Sequence, residues 1–194
     1  MPKIVDHDQY RKELLGKCFD LFAEKGYGSI TMRQIAQGLG VSTGTLYHYF
    51  PSKEALFLQM VEEQTQQDIL NFQTESSGAQ TLPERIDALM NFLAKYEDYF
   101  FNQMAVSLDF YQQVGRAEVL NNEILRRSSE QTRQVIGEYL QISDKAIVDF
   151  VFTYIGGLII GRLYEGDTIS FDEQSMLLKK ILMAYLGQQL SSNS

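Results

Sequence analysis

The chain has 194 residues, enough for one compact unit or one unit with a small addition. Its 44% hydrophobic and 22% charged residues exclude a disordered polypeptide. One cysteine excludes an intramolecular disulfide framework, and two histidines leave little material for a metal centre or a histidine-based triad, so no metal and no cofactor are expected. The net charge of −8 is uneven: residues 1–60 carry +1 and the remainder −9, which leaves the N-terminal part open to an anionic partner.

In chain order, nearly every segment reads as helix. Leu14, Leu15, Cys18, Phe19, Phe22 and Ala23 recur at three and four residues and form one apolar stripe, which Gly26 ends. Thr31, with Gln34 three residues on, is a capping box opening a short helix through Ile35, Ala36 and Leu39 to Gly40. Ser42 or Thr43 opens another short helix to about Phe50. Pro51-Ser52 breaks it, and Ser52 caps a longer helix from Lys53. Ser76-Ser77-Gly78 marks a loop, and Thr81 to Glu84 is a second capping box. Behind it Ile86, Leu89, Met90, Leu93, Tyr96 and Phe100 keep a helical period. Gly115 punctuates, and a polar helix is expected over 117–140. A strongly apolar helix starts at Ser143 and runs to about Glu165, Gly166-Asp167 turns, and a third capping box at Ser170 opens the last helix, to about Gln189. The expectation is an all-α fold of about nine helices.

Residues 31–50 have a helix-turn-helix pattern. Ala36 is the small residue needed where two short helices cross, and Gly40 suits a turn that requires positive φ. Ile35, Leu39, Val41 and Leu46 are expected to face inward. Helices this short are not stable alone, so the stripe from Leu14 to Ala23 must supply a third side. The outer face of the second helix then carries Thr43, Thr45, Tyr47, His48 and Tyr49, compact donors or rings with polar tips that suit phosphate oxygens and base edges. Gly44 leaves the start of that helix bare for close approach to a groove.

The runs Ile30 to Ala36, Gly40 to Phe50 and Ser52 to Leu56, with Leu21 to Tyr27 ahead of them, closely resemble the N-terminal domain of TetR-type bacterial transcriptional regulators. The resemblance covers about residues 10–60 and implies DNA binding. Carried over by position, it implies phosphate contacts from Thr31, Tyr47, Tyr49 and Lys53, and groove contacts from Arg33, Thr43, Gly44, Thr45 and His48. It also implies a helix-turn-helix DNA-binding domain at 1–52 and a helical effector-binding and dimerisation domain at 53–194.

That second part is rich in rings and thioethers. The resemblance implies a small-molecule effector there, and an apolar or aromatic one fits Phe72, Phe92, Tyr96, Phe100, Met104, Phe110, Tyr111 and Tyr154, although for any one of them core packing is the commoner role. The segment Phe150 to Gly161 is apolar almost all round and must be covered on more than one side. Gly157 and Gly161 share a face that another helix can approach closely. The last helix has a stripe wide enough for its own domain and a partner, and the resemblance implies a homodimer through these two helices, with Gly157, Gly161, Leu178, Leu182 and Tyr185 at the interface.

The N-terminus lacks the apolar core of a signal peptide, and the longest uncharged apolar stretch is twelve residues, short of the roughly 20 that span a bilayer. A cytoplasmic protein with no membrane partner is expected, with Cys18 reduced and in the core. No nucleophile–base constellation is visible, and the glycines at 38, 40 and 44 lack dinucleotide-loop spacing, so an enzyme is not expected. The expected function is a ligand-responsive repressor that binds a pseudo-palindromic operator as a homodimer. The alternative is a helix-turn-helix regulator controlled by a protein partner.

Overall fold

The computed structural model describes residues 6–192. Among the described residues every regular element is helical. There are ten α-helices: α1 (His7–Lys25), α2 (Met32–Leu39), α3 (Thr43–Tyr49), α4 (Lys53–Glu75), α5 (Leu82–Lys95), α6 (Glu97–Val114), α7 (Arg116–Asn121), α8 (Glu123–Leu140), α9 (Lys145–Glu165) and α10 (Phe171–Ser192). A single 3-10 turn, Gly166–Thr168, joins the last two.

The chain forms two compact units, and neither is continuous in sequence. The first comprises residues 1–68 and 102–131, the second 69–101 and 132–194. The helices α4, α6 and α8 each contribute residues to both.

Two helix breaks differ from the periodicity reading. The expected polar helix over 117–140 is two helices, because Asn122 adopts an extended conformation and its side-chain oxygen accepts from Ile124 and Leu125 N–H as the cap of α8. The stripe from Ile86 to Phe100 is interrupted at Tyr96, the C-cap of α5, whose N–H donates to the Phe92 carbonyl. The start of α9 is capped by Asp144 rather than Ser143, its carboxylate accepting from Ala146 N–H.

In the first unit α1 buries Leu14, Leu15, Cys18, Phe19 and Phe22 against Ile35 and Ala36 of α2, Leu46 of α3, and Phe50, Leu56, Phe57 and Met60. Leu39 and Val41 are only half-buried. Thr31 forms the expected capping box with Gln34, and Gly40 takes the left-handed conformation with φ +70°. Ser52 Oγ accepts from Ala55 N–H at the start of α4. Tyr27, in the loop between α1 and α2, sits among the rings of Phe22, Phe57 and Phe110, and Phe110 stacks on Phe57 with centroids 4.3 Å apart. Asp109, one residue earlier on α6, accepts the Gly28 N–H at 3.0 Å.

The second unit packs α10 along α5 around Ile86, Leu89, Met90, Leu93, Val151, Leu158, Leu178 and Leu182. Asp87 of α5 accepts from Ser175 Oγ and Lys179 Nζ of α10, and these two hydrogen bonds hold its carboxyl below the usual carboxylate range. Arg162 of α9 bonds both carboxylate oxygens of Glu97, the Ile169 carbonyl and Asp167, with its guanidinium over the Phe171 ring.

By length and composition residues 145–168 could span a bilayer, contrary to the expectation from the uncharged stretch. However, α9 buries Val148, Val151 and Leu158 in the second unit's core, and Ile159 is buried as well. Its charged residues Asp149 and Arg162 are ion-paired, Asp149 with Arg133 and Arg162 with Glu97 and Asp167. These contacts tie one side of α9 to its own unit, while Phe150, Ile160 and Leu163 leave another side apolar and exposed.

Candidate nucleic-acid interface

The helix-turn-helix is held by local chemistry that leaves one face outward. Thr31 Oγ1 accepts from Gln34 N–H and donates to Gln34 Oε1, so its hydroxyl is already engaged in the cap. Ser42 Oγ accepts from Thr45 N–H and pairs with Thr45 Oγ1 at 2.8 Å, which fixes the first turn of α3. Leu46 alone among the α3 side chains is fully buried. With that anchor inward, helical geometry turns Gly44, Tyr47 and His48 outward, while Thr43, Thr45 and Tyr49 lie half-buried at the flanks. Arg33 of α2 is also exposed.

Two of these positions carry information about purpose. Tyr47 is a large ring left 50% exposed. A Cβ built on Gly44 would meet only Ser42 Oγ, at an ordinary 3.7 Å, so the fold itself has no need of glycine there. A bare helix start beside an outward tyrosine is what close approach to a phosphate backbone requires.

Lys53 sits differently from its expected role. Its ammonium donates to the carbonyls of Tyr27 (2.6 Å) and Ile30 (3.0 Å) and lies over the Tyr27 ring at 4.5 Å. Partial burial lowers its pKa from the usual lysine value, partly offset by the carboxylate of Asp109. Lys53 therefore fastens the start of α4 to the loop entering α2, with one ammonium hydrogen left over.

Two residues at this face had no sequence signal. His7 Nδ1 lies 2.7 Å from Tyr49 OH, and the ring of Tyr10 meets Tyr49 edge-on at 5.6 Å. Both partners are about forty residues from Tyr49 in the chain, so no local pattern could have joined them.

The effector candidates do not share one unit. Phe72, Phe92, Tyr96 and Phe100 gather in the second unit, with Phe92 within 6 Å of each of the other three ring centroids. Tyr96 OH donates to Glu75, and Tyr154, also in the second unit, donates to Gln174. Phe110 belongs to the ring cluster of the first unit, as do the half-buried Met104 and the exposed Tyr111 to that unit's surface. Among the described residues no three His, Cys, Asp or Glu side chains gather as a metal site.

The interface candidates also divide. Leu178 and Leu182 are fully buried within their own unit, and Gly161 is approached by Ile169 of the same chain, 3.0 Å from where its Cβ would stand. Gly157 faces open space, and Tyr185 is exposed. The outward apolar surface of the two last helices is carried by Phe150, Ile160 and Leu163 on α9 and by Met176, Leu177, Ile181 and Tyr185 on α10.

Comparison with known proteins bears on both units. Residues 14–60 match the family model described as bacterial regulatory proteins, tetR family. The HTH-type transcriptional regulator YuxN of Bacillus subtilis is 33% identical over 97 residues, covering 48% of this chain and 33% of that protein. The HTH-type transcriptional repressor Rv1474c of Mycobacterium tuberculosis is 38% identical over 68 residues, 34% of this chain and 36% of that one. The matched stretch thus spans about a third of either relative's length. In fold, a tetR-family transcriptional regulator from Streptomyces coelicolor superposes with a TM-score of 0.68 at 17% identity, covering 93% of this chain and 85% of that one.

Proposed function

We propose that the chain, whose residues 14–60 match the tetR family model, is a regulator of that family: a cytoplasmic repressor of transcription, binding a pseudo-palindromic operator as a homodimer and released by a small apolar or aromatic effector. The observation that carries the DNA-binding reading is the outward face of α3: Tyr47 half-exposed beside a Gly44 that the fold does not require. Tyr47 and Tyr49 reach phosphates, while Arg33, Thr43, Thr45 and His48 face the groove. Lys53 contributes positive charge and its remaining donor.

Two heads are needed because half-sites of a two-fold operator lie about 34–36 Å apart. The exposed apolar residues of α9 and α10 are the surface that pairs two chains, with Gly157 allowing close helix approach. The Phe72, Phe92, Tyr96 and Phe100 cluster supports an aromatic-lined effector site. To swing the DNA-competent population from nearly full to nearly empty, the effector must prefer one state by about 5.5 kcal/mol.

The test is selection from a random duplex library with the purified protein at fixed salt. Enrichment of a two-fold-symmetric site is the expected result. Folded, dimeric protein that enriches nothing would count against the reading, unless an added effector restores selection.

A further inference from the structure

His7 and Tyr49 form a hydrogen-bonded pair at the edge of the proposed DNA-reading face. His7 is the first residue of α1 and Tyr49 the last of α3. Their atoms Nδ1 and OH are 2.7 Å apart. The pair is held from several sides. Asp6 caps α1 by accepting from the N–H groups of Asp8 and Gln9, which fixes where His7 begins the helix. The rings of Tyr10 and His48 meet Tyr49 at 5.6 and 5.1 Å. The other titratable groups in these two turns are Asp6 at the cap, Asp8 and Tyr10 on α1, and Tyr47 and His48 on α3; Arg11 of α1 is turned to Gln59.

A phenol has one proton to donate. When Nδ1 is bare it takes that proton, and Tyr49 then offers a phosphate only oxygen lone pairs, which repel it. When Nδ1 carries a proton the bond reverses: the imidazole donates to the phenol oxygen, and the phenol O–H is free to turn to a phosphate. The imidazolium achieves this reversal and also places a positive charge beside the phosphate, with Nε2–H as a second donor.

We propose that His7 is the positioning residue for Tyr49, and that through it DNA binding takes up a proton. The proposal rests on the reading of α3 as the DNA-binding face. The complex holds more protons than the free components, so affinity falls as pH rises.

The test measures affinity for a selected site and for a random-sequence duplex, at fixed low salt, between pH 6 and 8. Phosphate contacts act on both duplexes, so both profiles are expected to weaken with rising pH, by up to about tenfold for each pKa unit that DNA adds to the imidazole. His7→Gln supplies a permanent amide donor and should flatten the profile. Tyr49→Phe should also flatten it and weaken binding most at pH 6. His48→Gln removes the groove-facing imidazole, and the slope that persists in it is the contribution of His7. With only two histidines in the chain, the His7 ring resonance can be assigned by the His48 variant, and its titration midpoint should rise when duplex is added. Binding that is intact but pH-independent, or a slope lost in His48→Gln and kept in His7→Gln, overturns the proposal alone. Failure to bind any duplex overturns it together with the DNA-binding reading.

Discussion

Truncating Phe110 to alanine is expected to destabilise the first unit, although the residue lies on α6, far along the chain from the helix-turn-helix. The ring is 1% exposed, stacked on Phe57 at 4.3 Å and edge-on to Tyr27 at 4.9 Å. Burying a phenylalanine side chain removes on the order of 150–250 Å² from water, or roughly 4–6 kcal/mol at 25 cal/mol per Å². That figure takes an extended chain as its reference and is an upper bound. Phe→Ala substitutions in cores cost about 3–5 kcal/mol. About 4 kcal/mol is therefore expected, a large part of the roughly 5–15 kcal/mol that holds a domain folded. At about 2–4 °C per kcal/mol for a chain of this size, the melting point should drop by about 8–16 °C. Urea unfolding followed by circular dichroism gives the free energy, and amide exchange locates the loss. The amides of α1 to α3 should exchange faster. Tyr111→Ala, one residue on but exposed, should stay within about 0.5 kcal/mol of the parent. A Phe110→Ala loss below about 1 kcal/mol, or one confined to amides of the second unit, would refute the packing account and return Phe110 to the effector site.

Other outcomes follow from single positions. Burial pushes the Cys18 thiol up to about 12, so a disulfide reagent at pH 8 should leave the folded protein unlabelled and react only after urea is added; prompt native labelling would contradict its burial. Gly26, with φ +77° and ψ 147°, occupies a region closed to side chains, and an added Cβ would lie 2.9 Å from Asp109 Oδ2. Gly26→Ala should cost about 1–3 kcal/mol of backbone strain and exceed the cost of Gly40→Ala, where the space is open; calorimetry of the two variants gives the order. A Cβ added at Gly157 meets nothing of its own chain within 4 Å, so Gly157→Leu should leave circular dichroism unchanged while sedimentation shows weakened self-association. An unaltered mass would remove Gly157 from the dimer surface.

The local signals were legible and the long-range ones were not. Thr31 with Gln34, and Gly40 after Leu39, specify a cap and a left-handed turn within four residues, and both stand where the spacing put them. The break at Asn122 left no mark in the periodicity, because Leu120 and Ile124 stand four residues apart on either side of it. Tyr96 ends α5 without glycine or proline, so nothing local marked it. The wide stripe of α10 said that two faces were apolar, but periodicity could not tell which faced home. Leu178 and Leu182 turned out to be the inner pair, and Met176, Leu177 and Ile181 the outer. Lys53 was assigned to DNA by position in a motif, whereas its partners, Tyr27 and Ile30, lie more than twenty residues upstream. The same limit hid His7.

The ring cluster of Tyr27, Phe57 and Phe110 has a consequence for how such regulators can be cut and rejoined. A chimaera made by grafting residues 1–60 onto the helical remainder of another chain would carry Tyr27 and Phe57 but leave Phe110 behind, with Asp109 and its bond to the Gly28 N–H. The transplanted head would expose two aromatic faces unless the recipient's sixth helix supplied a matching ring and carboxylate. The same arrangement sets an order on synthesis. A nascent chain can form α1 to α3 early, but the head cannot close its aromatic seam until residue 110 has left the ribosome, so an arrested or truncated chain ending in α5 would display an unfinished and aggregation-prone helix-turn-helix head.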